Sequence, residues 1–205
     1  MLTSVAPAKL KLTWTDSGEE LDGEAFQGLW SDAFYLHLSN QSTRLIEFSD
    51  GVLEVLPMPT NRHQSMLALL YELFVALVRP LGGKVLFSAL RMRIRPGKFR
   101  EPDLLLLLDK HDARKQEAYW LGADLVLEVV SPDDPERDTV VKRGDYAEGG
   151  IPEYWIVNPL DESITVLTLD GSAYREHGRF LRGTTATSLL LPELRVAVDA
   201  VFDAE

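Results

Sequence analysis

The stretch FREPDLLLLLDKHDARKQEAYWLGADLVLEVVSPDDPERDTVVKRGDYAEGGIPEY, residues 99–154, decides the fold. It contains two apolar runs, Leu104–Leu108 and Leu125–Val130, whose length and flanking turn residues predict strands buried on both faces. Asp103 directly precedes the first run, and Glu128 lies inside the second. A buried carboxylate costs on the order of several kcal/mol unless it is paired, hydrogen-bonded or bound to a cation. Two carboxylates on neighbouring strands would need a counter-charge, and a hard divalent metal ion, which prefers oxygen ligands, would supply it.

The rest of the chain predicts helices and strands on both sides of this stretch. Before the stretch we expect an arm or loop at residues 1–23, a helix at Glu24–Leu38, a hairpin turning at Ser49-Asp50-Gly51, a helix from Thr60 or Asn61 to about Arg79, and a strand at Lys84–Ile94 that ends in a turn at Pro96-Gly97. Within the stretch we expect a strand at Phe99–Leu108, a polar and partly helical connection at 109–122, a strand at Ala123–Val130, and a helix that opens at Ser131 and ends at Gly149-Gly150. After it we expect strands at Glu153–Val157, Ile164–Leu169 and around Ala173–Arg175, and a small apolar end at Val198–Phe202. A buried strand followed by a helix and another strand favours a parallel crossover, and the preceding hairpin makes the sheet mixed. We therefore predict a single α/β domain over residues 1–205, with its core at about 60–158 and a mixed β-sheet flanked by helices.

Length and composition limit the class of protein. The 205 residues suffice for one well-cored domain, and 45% hydrophobic with 26% charged residues are typical of soluble globular chains. The absence of cysteine excludes disulfides, cysteine nucleophiles and thiolate zinc sites. The chain has no long apolar run that could span a membrane and no convincing signal peptide, so we expect a cytoplasmic protein without membrane contacts. No GxSxG, GxxxxGK[ST], GxGxxG or HExxH motif occurs. The sequence therefore does not support the nucleophile elbow of a hydrolase, a glycine-rich nucleotide-binding loop or a histidine-rich zinc site.

A local basic segment stands out against the formal net charge of −11. That charge argues against a protein that coats nucleic acid with its whole surface. Five cations nevertheless lie together just before Asp103 without an acid among them: Arg91, Arg93, Arg95, Lys98 and Arg100. They form either a DNA-binding patch or an ordinary solvated strand face, and the sequence leaves both interpretations open.

Three stretches together resemble a known protein family. They are RLIEFSDGVLEVLPMPTNRHQ (44–64), REPDLLLL (100–107) and LVLEVVSPDDPERDTVVKRGDYAEGGIPEYWIVNP (125–159), followed by a strand-rich tail. A PD pair, a spacer and an acid on a buried strand resemble the PD-(D/E)XK nuclease superfamily. The combination is similar to the Uma family of putative restriction endonuclease-like proteins within it. The resemblance runs from about Phe26 onward and implies a restriction endonuclease-like core with an N-terminal hairpin and C-terminal strand additions.

The resemblance also implies roles for individual residues. Asp103 and Glu128 would be metal ligands, with the Val129 carbonyl as the natural third protein ligand and Mg²⁺ or Mn²⁺ as the ion. The superfamily's usual lysine lies two residues after the acid, where this chain has Val130. In the Uma family the lysine resembles one displaced onto the following helix, which matches Lys142. Its ammonium would orient the attacking water and stabilise charge on the phosphate.

Three site assignments keep an alternative. Asp103, at the start of a strand, could be an ordinary turn or capping residue. Lys142 has Asp138 four residues earlier and could form an ordinary surface ion pair instead. His63, at the start of a helix, could be a metal ligand, a general base or a packed side chain. His63 and Glu47 match the family's N-terminal motif, so both are included as candidate catalytic residues beside Asp103, Glu128 and Lys142. Tyr146 is interpreted as a core residue.

The leading functional prediction is a metal-dependent endonuclease that hydrolyses DNA phosphodiester bonds. The alternative is a weakly active or inactive nuclease-fold module that binds nucleic acid or a protein partner. We also predict a homodimer, because one compact site cuts one strand and two-fold symmetry is the commonest way to supply a second site. Its sequence basis is a surplus of apolar residues at the two ends of the chain: Phe26, Trp30, Phe34, Tyr35, Val198, Val201 and Phe202. Packing of these residues within their own subunit is the alternative.

Overall fold

A computed structural model describes residues 11–13 and 16–204, and its strands and helices follow in chain order. The strands are β1 (Lys11–Thr13), β2 (Glu20–Asp22), β3 (Ile46–Ser49), β4 (Val52–Val55), β5 (Lys84–Phe87), β6 (Met92–Arg95), β7 (Lys98–Arg100), β8 (Leu104–Leu107), β9 (Leu125–Val129), β10 (Glu153–Asn158), β11 (Ser163–Asp170), β12 (Ala173–Leu181), β13 (Thr185–Thr187) and β14 (Arg195–Ala197). The α-helices are α1 (Asp32–Gln41), α2 (Asn61–Val78), α3 (Lys142–Glu148) and α4 (Val198–Phe202). A 3₁₀ turn at Gly23–Phe26 and a π-helical turn at Arg137–Val141 complete the helical structure.

The chain divides into two compact units. The first contains the described residues up to Met58 together with Arg95–Glu101. The second contains Pro59–Ile94 and the described residues from Pro102 onward. The single domain over residues 1–205 stays a prediction from the sequence.

The first unit is built on the predicted β3–β4 hairpin. Its strands pair antiparallel, and the turn places Asp50 at φ 49° and Gly51 at φ 84°. Two successive positive φ angles suit an Asp-Gly hairpin turn, which explains why this dipeptide predicted the element. β7 pairs antiparallel with β3 on its other side. The aromatic ring of Tyr35 packs 5.2 Å from that of Phe48 and 5.0 Å from that of Phe99, measured between centroids.

Two predictions for the start of the chain are wrong. Residues 1–23 do not form only an arm or loop, because β1 pairs antiparallel with β2; residues 1–10 lie outside the described residues. The predicted Glu24–Leu38 helix is instead a short 3₁₀ turn followed by α1. Gly28 separates the two at φ 88°. Ser31 then begins α1 by accepting a hydrogen bond from the N–H of Phe34.

The second unit contains a six-stranded mixed sheet in the order β12-β11-β10-β9-β8-β5. β9 and β10 are parallel, as the predicted crossover requires, and the other neighbouring strands are antiparallel. All four residues of β8 and all five of β9 are buried, so the two apolar runs are central strands. This arrangement confirms the predicted mixed sheet flanked by helices.

Helices cover both faces of this sheet. α2 begins where Thr60 accepts a hydrogen bond from the N–H of His63, as predicted. The buried residues of α2 share one hydrophobic cluster with one face of β8 and β9: Met66, Leu67, Leu70, Phe74, Val78, Leu104, Leu106, Leu125 and Leu127. The opposite face of the same strands shares a second cluster with side chains of α3 and β10: Leu105, Leu107, Val126, Val130, Tyr146, Tyr154 and Ile156.

Several predicted strands and helices are longer than those in the structure. The predicted Lys84–Ile94 strand is β5 and β6, separated by residues 88–91, and the 109–122 connection contains turns but no helix. The Pro96-Gly97 turn lies between β6 and β7 as predicted, but the chain then leaves the strand conformation at residues 101–103 before β8. Pro102 lacks a backbone N–H and cannot donate to a strand ladder, which explains this break. Helical structure begins at Pro135 rather than at Ser131, and its π-helical turn begins at Arg137.

The apolar end of the chain packs into its own unit. Val198, Val201 and Phe202 of α4 belong to the hydrophobic cluster that contains α2, and Tyr35 is fully buried in the first unit. These residues therefore provide no apolar surface for a second subunit, and the homodimer stays a prediction. Among the described residues, the longest helices fall short of the length and apolar character needed to cross a membrane.

Candidate active site

The two predicted carboxylates lie on neighbouring strands of the second unit. β8 and β9 pair antiparallel with Leu104 opposite Leu127, and the same register places Asp103 opposite Glu128. Opposite residues in an antiparallel pair project to the same face of a sheet. Asp103 Oδ2 also accepts a hydrogen bond of 2.8 Å from the N–H of Val129, which fixes the aspartate beside the glutamate strand. The structure thus brings together the two acids that the sequence selected.

Glu128 is buried and already has two polar partners. Its side chain is 3% exposed, and Oε1 lies 2.9 Å from Nζ of Lys142, whose side chain is 4% exposed. The same oxygen accepts a hydrogen bond from the hydroxyl of Tyr146. The predicted lysine, displaced onto the helix, therefore contacts the predicted glutamate.

Asp138 adds a third carboxylate that the sequence analysis assigned only to a surface pair. Its Oδ1 lies 3.2 Å from Nζ of Lys142, but both side chains are buried, so the surface interpretation is wrong. Oδ2 of Asp138 accepts a hydrogen bond from the N–H of Ser131, and its carbonyl accepts one of 2.7 Å from the hydroxyl of Tyr154. These two hydrogen bonds hold Asp138 in place while it contacts the lysine.

The π-helical turn connects Asp138 to Lys142. The N–H of Lys142 donates to the carbonyl of Arg137, five residues earlier, rather than to the fourth. Such single-turn widenings of a helix are frequent at functional sites. Here the widened turn carries Asp138, and α3 begins at Lys142 with Tyr146 one turn later.

His63 approaches the site from the first turn of α2. Its Nε2 lies 3.1 Å from Oδ2 of Asp103, and its Nδ1 is buried without a hydrogen-bond partner among the described residues. Burial disfavours the imidazolium, but the hydrogen bond to Asp103 and the charges of Asp103 and Asp138 outweigh it, so the pKa of His63 is raised. This contact joins His63 to the predicted site.

The site carries an excess of negative charge. Glu128 and Asp138 contact the ammonium of Lys142, and Asp103 adds a third carboxylate beside the Glu128 strand. Burial, followed by the charges of Glu128 and Asp138, raises the pKa of Tyr154 well above its usual value, so its hydroxyl remains a donor. The negative charge of the site therefore favours the binding of a cation.

The donor atoms at this site match a hard divalent ion in type. Within residues 11–13 and 16–204, no three acidic or histidine side chains are arranged so that they could hold a metal ion by themselves. Two carboxylates in a negative pocket are nevertheless the oxygen donors that Mg²⁺ and Mn²⁺ prefer, and such ions commonly complete their coordination with backbone carbonyls and water. Asp103, Glu128 and the carbonyl of Val129 are the predicted ligands that could supply such donors, and the metal site stays a prediction.

The structure places Glu47 in the first unit. It is fully buried on β3, its Oε2 lies 3.7 Å from Nε of Arg100, and its Oε1 accepts a hydrogen bond from the N–H of Glu101. These contacts are enough to account for a buried acid at this position. A catalytic role for Glu47 stays a prediction.

The five predicted DNA-binding cations do not form one exposed face. Lys98 and Arg100 are buried, at 9% and 5% exposure. For these two residues, the interpretations as a DNA-binding patch and as a solvated strand face are therefore both wrong. Arg95 forms two hydrogen bonds of 2.7 Å with the carboxylate of Asp50. Arg91 and Arg93 are half-buried in the second unit. Lys98 and Arg100 are buried because this segment has partners within the protein. The composition of the segment does not reveal those partners.

The sequence analysis missed Asp138, Tyr146 and Tyr154 as site residues. The available signal was the spacing of Asp138, Lys142 and Tyr146 at four-residue intervals, which places polar groups along one side of a helix. Tyr146 was interpreted as core, and it is buried, but its hydroxyl reaches Glu128. A buried tyrosine needs a hydrogen-bond partner, and here the partner is a predicted catalytic acid.

Comparison with known proteins identifies the family of this chain and a solved structure with a similar fold. Residues 32–199 match the Uma2 family, which is described as "Putative restriction endonuclease". A crystal structure of a putative nuclease belonging to DUF820 from Anabaena variabilis ATCC 29413 has a similar fold, with a TM-score of 0.66 at 16% sequence identity over 82% of this chain and 96% of that chain. The comparison with curated proteins gave no match. Since the family match covers most of the chain, this protein belongs to the Uma2 family of putative restriction endonucleases.

Proposed function

We propose that this protein is a metal-dependent endonuclease that hydrolyses phosphodiester bonds of DNA. The observation that carries the proposal is the contact of Glu128 with Lys142 beside Asp103, because these residue types occupy adjoining positions in a negative, largely buried cluster. Family membership supports the same class of activity. The reaction adds water to phosphorus, breaks the bond from phosphorus to the leaving oxygen, and yields a phosphate monoester and an alcohol.

Asp103, Glu128 and the carbonyl of Val129 would hold Mg²⁺ or Mn²⁺. When bound, the ion supplies a lowered pKa for the attacking water and positive charge for the phosphate. Asp103 is kept in place by the N–H of Val129 and by His63, while Tyr146 orients Glu128. These contacts fix both carboxylates before the ion arrives, which reduces the cost of organising the site.

Lys142 would act on the phosphate. Its ammonium lies beside Glu128 and is therefore close to the phosphate of any substrate that reaches the ion. A fixed ammonium that meets negative charge as it develops lowers the barrier more in a water-poor pocket than in solvent. His63 is a candidate for proton transfer, because its imidazole adjoins Asp103.

DNA contacts are proposed for Arg91 and Arg93. Both are partly exposed in the second unit, and the guanidinium of Arg93 lies 5.4 Å from the centre of the Tyr119 ring. A few arginines can neutralise phosphates locally despite a net charge of −11, because salt screens distant acids within about 10 Å at 0.1 M. A homodimer would place two such sites on opposite strands.

A non-catalytic binding module is the second candidate. One observation favours it: Lys142 is paired with Glu128 and with Asp138, so the charges of the site are partly satisfied within the protein. A module of this kind would bind DNA or a protein partner without turnover. It predicts no gain in stability from Mn²⁺, whereas the endonuclease predicts such a gain.

The test is cleavage of supercoiled plasmid with Mg²⁺ or Mn²⁺, for the parent and for Glu128→Gln. The endonuclease predicts metal-dependent nicking or linearisation by the parent and its loss in the variant. Glu176→Gln, an exposed acid on β12, is the matched control and should cleave like the parent. DNA binding by the parent without cleavage under any divalent ion would favour the binding module.

A further inference from the structure

Lys142 bridges two carboxylates, and this geometry gives Asp138 a role that rests on the proposed function. We propose that Asp138 is a positioning residue that retains the ammonium of Lys142 when Glu128 binds a divalent cation. The ammonium lies 2.9 Å from Glu128 and 3.2 Å from Asp138. Asp138 thus acts through Lys142 and is not itself a metal ligand.

The need for a second partner follows from the contacts of Glu128. Oε1 of Glu128 meets both the ammonium of Lys142 and the hydroxyl of Tyr146. A divalent cation drawn to the same carboxylate repels the ammonium and competes with it. Lys142 is 3% exposed, so weakening its contact with Glu128 removes a counter-charge from an ammonium held away from water, which is unfavourable.

Asp138 is suited to be that counter-charge because it is itself held in place. The N–H of Ser131 binds its Oδ2, and the hydroxyl of Tyr154 binds its carbonyl. The remaining carboxylate oxygen, Oδ1, contacts Lys142. Since Asp138 is anchored through one carboxylate oxygen and through its backbone carbonyl by groups other than the lysine, it keeps its position when Glu128 changes partners.

Two other roles for Asp138 make different predictions. A direct metal ligand would leave Lys142 when the ion binds, so the ammonium would lose both carboxylates in the parent protein. A merely structural residue would affect folding stability but not the response of Lys142 to the ion. Observation of the Lys142 ammonium separates the three roles without reference to cleavage.

The experiment is NMR of the lysine ammonium groups in ¹⁵N-labelled full-length protein, titrated with Mg²⁺. A buried, ion-paired ammonium exchanges its protons slowly enough to give a signal, and Lys142→Met assigns it by its disappearance. We expect the parent signal to shift on Mg²⁺ binding and to persist at saturation. In Asp138→Asn we expect the signal to broaden beyond detection as Mg²⁺ is added, and calorimetry to give on the order of tenfold weaker Mg²⁺ binding, within the usual range of coupling between contacting residues.

Asp134→Asn is the matched control, since Asp134 is an exposed acid shortly before the π-helical turn. It should respond to Mg²⁺ like the parent. Loss of the signal in the parent at saturating Mg²⁺ would overturn the proposal in favour of direct ligation, and this arm needs no Asp138 variant to fold. An Asp138→Asn protein whose signal follows the parent's would overturn it in favour of a structural role.

Failure of the proposed function has a different signature. If neither Mg²⁺ nor Mn²⁺ changes any parent signal or produces binding heat, metal-dependent chemistry at this site is excluded, and the role of Asp138 falls with it. If the parent responds but the Asp138 variant responds identically, only the role of Asp138 is excluded.

Discussion

Lys142 and Glu128 form an ion pair with an Nζ–Oε1 distance of 2.9 Å, and both side chains are buried in the second unit. A buried ion pair contributes little net stability, because the cost of removing two charges from water offsets their attraction. Apolar side chains of similar volume would usually stabilise the fold as well or better. The pair is therefore better explained by the chemistry of the site than by folding.

Removal of either carboxylate should abolish divalent-metal binding. Asp103→Asn and Glu128→Gln keep the shape of each side chain and remove the charge that attracts the ion. We expect Mn²⁺ at a hundred times its dissociation constant to stabilise the parent by about 2.7 kcal/mol. The two variants should gain nothing in the same thermal-shift measurement.

Asp109→Asn controls for the loss of a single negative charge, because Asp109 is exposed just after β8. It should be stabilised by Mn²⁺ like the parent. Calorimetry that gives Asp103→Asn or Glu128→Gln the parent's affinity would refute the ligand assignment.

Replacement of Lys142 should reduce cleavage while preserving metal binding. Lys142→Met removes the ammonium but retains the length of the side chain. Loss of one group that stabilises transition-state charge costs on the order of a hundred- to a thousand-fold in rate. Single-turnover nicking under saturating Mn²⁺ measures this loss, and Lys110→Met, at an exposed lysine, should leave the rate unchanged. A Lys142→Met protein that cleaves at the parent rate would remove Lys142 from the mechanism.

Glu153 should be important for stability and not for cleavage chemistry. It is fully buried at the start of β10. Its carboxylate accepts hydrogen bonds from the indole N–H of Trp155, the hydroxyl of Ser188 and the N–H groups of Leu189 and Leu190. Glu153→Ala leaves these donors unsatisfied at about 1–3 kcal/mol each before relaxation.

We therefore expect urea unfolding of Glu153→Ala to show a loss of at least about 3 kcal/mol, since several buried donors lose their partner. Glu176→Ala, at an exposed position, should stay within about 0.5 kcal/mol of the parent. A small effect at Glu153 would mean that the chain from Ser188 to Leu190 re-forms its hydrogen bonds with water or with other groups.

Charge reversal at Arg91 and Arg93 should weaken DNA binding and flatten its salt dependence. Each phosphate contact that is lost reduces the slope of log affinity against log salt by about 0.9 for duplex DNA. Fluorescence anisotropy over a range of salt concentrations measures the slope. Arg175→Glu is the control, because Arg175 is an exposed cation on β12. An unchanged slope in the Arg91→Glu, Arg93→Glu double variant would exclude this segment from the DNA interface.

The central strands and the pairing of the two acids could be predicted because they depend on local, strong signals. Apolar runs such as Leu104–Leu107 favour burial, and an acid within or beside them needs a partner. The Asp50-Gly51 turn and the Thr60 cap are likewise encoded by residues whose backbone preferences are specific. The pairing of the two apolar strands sets the neighbouring positions of Asp103 and Glu128.

The partners of the charged residues could not be predicted, because spacing along the chain does not report burial. Asp138 and Lys142 four residues apart have the spacing of a surface pair, yet both are buried beside Glu128. Arg100 looked like part of a solvated face, yet it lies against Glu47, more than fifty residues away in the sequence. The π-helical turn at Arg137–Val141 depends on tertiary contacts such as the bond from Tyr154 to Asp138 and has no sequence pattern of its own.

A crystal of the parent protein soaked in Mn²⁺ would show whether Asp103 and Glu128 hold a divalent metal ion. Anomalous scattering locates manganese independently of the atomic interpretation of the site. The account predicts a single strong peak bonded to a carboxylate oxygen of each residue, with the ammonium of Lys142 retained at Asp138. A saturating soak that gives no peak there, or a peak bound only to other residues, would contradict it.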